Sequence, residues 1–463
     1  MTGAPDVALD IDTALPIVAG VFAEHAAINR LPSLAWGVVD HGELVASANE
    51  LSVYRIASMT KSFTCAAVLT LRDEGRIALD DPIARHAPEL ARVAGPTTDS
   101  PAITVRHLMT MSSGLATDDA WADRHLDVTD EELDRWLGPG AAFAAAPGTM
   151  FEYSNLGFGL LGRVVQHATG ASVQQLVTER LVVPLGLRDT SWVEPRGAVV
   201  GYRADGDSGI EPALGDGAIA PMGGLFTTVA DLARWVGFLG DAFPARDDPD
   251  DAPLSRASRR EMQQVQRAFA PRTVVARDGR VRTVAGGYGL GLNVLHHDGL
   301  GWVVSHSGGL PGYGSNMRWV PGVGIGLIAL ANATYAPMAE ATAAVLDALH
   351  GAGLVHASRP PVTPAVRAAA DALSALHERW DDVTATTLFA DNIAPDIPLV
   401  DRRATAERLR EEHGPLRLAR IEAQSATAAI AVLHGPASEV RIEFQLAPIA
   451  PPRVQWYEAA ATA

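Results

Sequence analysis

The sequence predicts an α+β protein, with a sheet assembled from N- and C-terminal segments packed against a helical region and a second, small α+β domain behind it. Three observations predict this. Strand patterns occur before residue 50 and return after residue 287, the interval from about 75 to 240 reads as mostly helical, and the last hundred residues run from helices to alternating strands. At 463 residues the chain is also too long for one small domain.

Each element has its own signal. Residues 12–29 read as a helix. Segments 35–39 and 44–48 flank the turn Asp40-His41-Gly42-Glu43, a hairpin signal. Ser58 opens a helix that runs to about Glu74 and stops at Gly75. Pro/Gly loops at Gly138-Pro139-Gly140 and Pro147-Gly148 break the helical interval, and 243–253, rich in Pro and Asp, reads as an exposed loop. Strands are expected at 288–295, 301–306, 317–320 and 325–331, followed by a helix near 338–350. The first domain is thus expected over 1–355. A linker follows at 356–364, and an accessory domain at 365–463 carries helices at 365–380 and 402–412 and strands near 416–424, 427–434, 438–447 and 453–458.

Composition excludes some functions. Apolar content of 48% with 20% charged residues is that of an ordinary globular protein. A net charge of −17 repels polyanions and argues against nucleic acid as a partner. No apolar run reads as long enough to span a bilayer, and Met1–Asp10 lacks the basic and apolar regions of a signal peptide. A cytoplasmic protein without a membrane partner is therefore expected. Cys65 is alone, so it forms no intrachain disulfide, and it reads as a small core residue.

All but one of the 37 basic side chains are arginine; the exception is Lys61, three residues after Ser58. A guanidinium stays protonated at any working pH, whereas a buried ammonium can release its proton. Serine is a poor nucleophile until a neighbouring base takes its proton, and positions i and i+3 of a helix share a face. At a helix N-terminus Ser58 also leaves its backbone N–H available to an oxyanion. Two further groups join this pair. Tyr153-Ser154-Asn155 follows the turn Pro147-Gly148-Thr149. A phenol beside an ammonium can act as a base, and an asparagine amide can hold both the lysine and a substrate carbonyl. His306-Ser307-Gly308-Gly309 closes the 302–305 strand, where glycines let a substrate lie against the strand edge and the Gly309 N–H can complete an oxyanion site.

In this order and at these spacings the three groups resemble the serine β-lactamase and penicillin-binding-protein superfamily. The nearer branch holds class C β-lactamases, D-Ala-D-Ala carboxypeptidases, D-aminopeptidases and related esterases. The resemblance runs from about residue 15 to 350 and includes connecting text: Gly75-Arg-Ile-Ala-Leu-Asp-Asp-Pro82, Ile103–Met109 leading to Ser113-Gly114-Leu115, and Gly223–Leu232. It implies a β-lactamase-like antiparallel sheet with flanking helices. Ser58 is then the nucleophile that forms an acyl-enzyme, Lys61 and Tyr153 share the proton traffic, and Asn155 orients Lys61 and the substrate. The backbone N–H groups of Ser58 and Gly309 hold the oxyanion, and Ser307 and Gly308 line the substrate. His306 departs from the family pattern, standing where β-lactamases usually carry the lysine of a Lys-Thr-Gly motif. A mostly neutral histidine suits esters, amides or D-peptides better than a carboxylate-bearing β-lactam. The small C-terminal domain resembles the NTF2-like fold in its order of elements.

Rival signals are weaker. Gly206-Asp207-Ser208-Gly209 echoes a chymotrypsin-like nucleophile loop but lies in a polar turn without partner motifs. His296-His297-Asp298-Gly299 reads as a polar turn, since adjacent strand residues point to opposite faces; no metal or cofactor is expected. The expected function is hydrolysis of esters or of amides and peptides with D-residues, on a small-molecule substrate. Its alternatives are a β-lactamase, an acyltransferase or peptide cyclase of the same fold, and a non-catalytic scaffold, which the intact Ser58, Lys61, Tyr153 and His306 argue against.

Overall fold

The computed structural model describes residues 8–204, 209–275 and 281–461. They form two compact units, Ala8–Ala357 and the part from Ser358 onward. Of the Gly206–Gly209 turn, residues 206–208 lie outside the described set.

The larger unit is built on an eight-stranded sheet. Across it the order is Glu43–Ala48, Leu34–Asp40, Ile325–Ala331, Tyr313–Trp319, Gly301–Leu310, Asn293–His297, Gly286–Tyr288 and Arg267–Ala268. The pairings described in register are antiparallel, with Leu34 opposite Ala331 and Asp40 opposite Ile325. N- and C-terminal segments of this unit thus pair within one sheet, as the sequence predicts, with Leu34–Asp40 beside Ile325–Ala331. Alternate residues enter two cores. Trp36, Val38, Leu327 and Ala329 face the helices Ile11–Ile28 and Met338–Gly351, whereas Ala35, Val39, Ile328 and Leu330 join the larger core that includes Val229–Gly240. Burial on both faces explains why these strands read as near-continuous apolar runs.

Helix Ile11–Ile28 differs from expectation in one respect. It is long and apolar enough, by length and composition alone, to cross a membrane, with a mean hydropathy of 1.4. Scattered alanines raise that mean where no unbroken run exists. In the fold the helix buries Ala14, Val18 and Phe22, and Phe22 stacks on Trp36.

The helix after Ser58, Thr60–Asp73, is preceded by a 3₁₀ turn over Ala57–Met59. Every residue from Thr60 to Leu71 is buried, so this is a central helix and not a surface one. Its polar side chains are satisfied inside the core: Thr60 Oγ1 accepts from Leu225 N–H, Thr64 donates to Pro221 O, and Ser62 Oγ accepts from Trp235 Nε1. The smaller unit has helices Pro364–Glu378, Asp382–Leu388 and Leu399–His413, and a four-stranded antiparallel sheet, Arg417–Ala423, Ala428–His434, Glu439–Leu446 and Val454–Ala461, in chain order. It has its own core around Leu373, Ile442 and Phe444.

Candidate active site

Ser58 stands in the 3₁₀ turn, directly after Ala57, whose φ of +48° is unusual for a residue with a side chain. The first turn of the following helix places Lys61 beneath it. The Lys61 Nζ lies 2.8 Å from Ser58 Oγ, 2.7 Å from Asn155 Oδ1 and 2.9 Å from the Met222 carbonyl. Lys61 is fully buried. That burial pushes its pKa down to about 8, while Asp123, Asp119 and Asp118 keep it from falling further. A neutral amine here would spend two N–H donors on Asn155 and Met222 and leave its lone pair facing Ser58.

Asn155 opens the helix Asn155–Thr169, which Ser154 caps by accepting from Gly157 N–H at 3.2 Å. Both ends of the Asn155 amide are taken: Oδ1 accepts from Lys61, and Nδ2 donates to Asp119 Oδ1 at 2.7 Å. The amide is therefore fixed on Lys61 from one side and on a carboxylate from the other. Tyr153 is half-buried beside Ser58 and presents its ring face to Lys61, with Nζ 5.0 Å from the centroid. Burial raises the phenol well above its usual value; the hydrogen bond with Ser58 opposes this, and Asp119, Asp123 and Asp118 add to it. This differs from the expectation of a phenol made more acidic by its neighbour. Burial first, and then the three carboxylates, keep the proton on Tyr153.

His306, Ser307, Gly308 and Gly309 continue the strand Gly301–Leu310 and do not follow its end, because Tyr313–Trp319 pairs with it from Val304 to Leu310. On the opposite edge Asn293–His297 pairs only as far as Ser305. From His306 onward that edge has no partner strand among the described residues and borders the cleft. The cleft has a volume of about 360 Å³, and Ser58, Tyr153, Asn293, His306 and Gly309 are among its lining residues. Gly308 has a second task. A Cβ there would sit 2.1 Å from Ile56 O and 2.3 Å from Ser315 Oγ, so the glycine lets the strand approach the turn that holds Ser58. Ser307 is exposed, and its Oγ accepts from Asn316 Nδ2 at 3.0 Å.

The His306 ring has both nitrogens occupied. Nδ1 is 2.6 Å from the Ser307 carbonyl and so carries the proton, and Nε2, 2.8 Å away, accepts from the Tyr288 hydroxyl. Burial, and then Lys61, push this histidine down to about 3. It is neutral far below the range an ordinary histidine implies, and its nitrogens face the protein.

Sequence reasoning missed four contributors. The Met222 carbonyl carries no side-chain signature, although Gly223-Gly224 beside it belongs to the connecting text. Asp118, which belongs to no motif in the sequence, accepts from the Asn155 and Leu156 N–H groups at 2.7 and 2.8 Å. Asp119 and Asp123 line the cleft, and Asp123 accepts from the Tyr335 hydroxyl at 2.8 Å. Burial raises Asp118, and raises Asp123 to about 7.

The sequence pattern of the Beta-lactamase family matches residues 18–352. Among curated proteins, the D-alanyl-D-alanine-carboxypeptidase/endopeptidase AmpH of Escherichia coli (strain K12) is 34% identical over 209 residues, 43% of this chain and 52% of AmpH. Protein flp of Staphylococcus aureus (strain MW2) is 30% identical over 203 residues, 41% of this chain and 39% of that one. The match thus spans about half the length of these relatives, or less. The solved D-stereospecific amidohydrolase from Streptomyces sp. is 25% identical with a TM-score of 0.54, covering 72% of this chain and 98% of that one. The octameric penicillin-binding protein homologue from Pyrococcus abyssi shares the fold at 18% identity and a TM-score of 0.61, covering 96% and 100%.

Proposed function

The chain belongs to the Beta-lactamase family, and from that premise we propose that it is a serine hydrolase acting through a Ser58 acyl-enzyme on amides or esters, including those of D-amino acids. The observation that carries this is the buried Lys61 amine, 2.8 Å from Ser58 Oγ and held near a pKa of 8. Ser58 gives its proton to the neutral Lys61 amine as Oγ bonds to the carbonyl carbon. The carbonyl oxygen becomes an oxyanion received by the Ser58 and Gly309 N–H groups. When the C–N or C–O bond breaks, the leaving group takes a proton from the Lys61–Tyr153 pair, with the neutral phenol as relay. Water then attacks the acyl carbon, and its proton restores Ser58.

The neutral His306 supports uncharged amides and esters over β-lactams, since the described lining of the cleft holds no arginine and no lysine. The likeness to an amidohydrolase agrees with that preference. Labelling with a fluorophosphonate, followed by peptide mass mapping, tests the reading: the adduct should lie on Ser58 and vanish in Ser58→Ala. Rates on D-amino-acid anilides and nitrophenyl esters should exceed those on a chromogenic cephalosporin. An unlabelled Ser58 in folded protein would leave the scaffold reading standing.

A further inference from the structure

The cleft beside Ser58 is short of positive charge. Asp119 and Asp123 stand in its wall, and Asp118 lies directly before them in the chain. Asp118 is met by the N-terminus of the helix Asn155–Thr169. Asp119 and Asp123 instead have neutral donors, the Asn155 amide and the Tyr335 hydroxyl. Lys61 is the only lysine in the sequence, and three carboxylates draw on it. Arg124, next to Asp123, turns to Glu211 at 3.1 Å. Burial first, and then repulsion from Asp119 and Asp118, lift Asp123 to about 7. A cation arriving in the cleft would relieve that repulsion.

Tyr335 adds an independent observation. It is half exposed and lines the cleft. Its φ of +53° is a left-handed conformation that aromatic residues rarely adopt. The Tyr335 N–H donates to Tyr313 O at 3.2 Å, and the ring is packed over Gly309, where a Cβ would come within 2.8 Å of its Cδ1. A strained residue thus keeps an aromatic ring over the strand edge that must receive the acyl group. Carboxylates beside an exposed ring face are the combination that binds an ammonium.

We propose that the cleft selects acyl donors with a free amine close to the scissile carbonyl, such as an amino-acid amide or the amino end of a short peptide, with Asp119, Asp123 and the Tyr335 ring receiving the ammonium. This rests on the serine-hydrolase reading above. A carboxylate in the same place would meet two acids, with no arginine or lysine in the described lining of the cleft, so the cleft also discriminates by repulsion.

Protection of Ser58 tests the proposal without requiring turnover. The rate of fluorophosphonate labelling is measured against D- and L-alaninamide, their N-acetyl derivatives, and N-acetyl-D-alanine. The better free-amine amide should protect at a concentration at least tenfold lower than its N-acetyl form, and N-acetyl-D-alanine should protect least. Asp123→Asn keeps an acceptor for Tyr335 while removing the charge, and should bring the ratio of amine to N-acetyl protection close to one. Equal or better protection by the N-acetyl amides or by the carboxylate in wild-type protein would overturn the proposal. So would an unchanged ratio in the folded Asp123→Asn variant. Absence of labelling altogether would instead remove the serine-hydrolase reading, and the proposal with it.

Discussion

Lys61 donates to three acceptors within 2.9 Å, and only one of them, Ser58, can return a proton. Below its pKa of about 8 the amine is an ammonium with no lone pair for Ser58. The kcat/KM for a neutral ester should therefore fall about tenfold per pH unit below that point and level off above it. A profile flat from pH 6 to 9 would assign the base elsewhere. Lys61→Arg should lose on the order of 10²–10⁴-fold in kcat, nearly as much as Lys61→Ala, because a guanidinium keeps its proton and its planar fork does not match three converging acceptors. Single-turnover rates of both variants check this. Ser58 with Lys61, and Tyr153 with Asn155, were legible from local spacing; the family resemblance, and not spacing, joined the two pairs across 94 residues. Asp119, Asp123 and Tyr335 were not, because their importance comes from burial and from contacts across as many as 212 residues of sequence. The neutral state of His306 was legible in kind; its causes, burial in the fold and the nearby Lys61, were not.

At the scale of elements, the strand Gly301–Leu310 and the turn Ala57–Met59 touch where Gly308 has no side chain. Gly308→Ala would push a methyl against Ile56 O and Ser315 Oγ, and backbone gives way less readily than a side-chain tip. It should cost about 1–3 kcal/mol of stability and slow Ser58 labelling as well. Gly309→Ala meets the Tyr335 ring at 2.8 Å, which can swing aside, so its stability loss should be smaller. Thermal unfolding of the two variants, run beside labelling rates, distinguishes them. The strands themselves were readable from their apolar runs, with Ile325–Ala331 placed to the residue. The continuation of Gly301–Leu310 through its glycines was not, because a Ser-Gly-Gly run reads as a stop unless the pairing strand is known.

For the whole molecule, the apolar side chains of Ala8–Ala357 and of the residues after Ser358 fall into separate cores. We expect a fragment covering residues 8–357 to fold and to be labelled at Ser58, and calorimetry of the full chain to resolve two transitions. A fragment that folds yet resists labelling would give the second unit a part in the chemistry. The unpaired edge beyond Ser305 matters at this scale too. At about 3.3 Å per residue, the stretch from His306 to Leu310 leaves roughly 16 Å of ladder open. On an outer strand such a length would recruit a second copy and seed insoluble aggregates. Here it lies within the sheet, in a cleft walled by Asp119, Asp123 and Tyr335, and carries Ser-Gly-Gly in place of β-branched or aromatic side chains. A short extended ligand can use the gap, while a neighbouring protein's strand finds little there to hold.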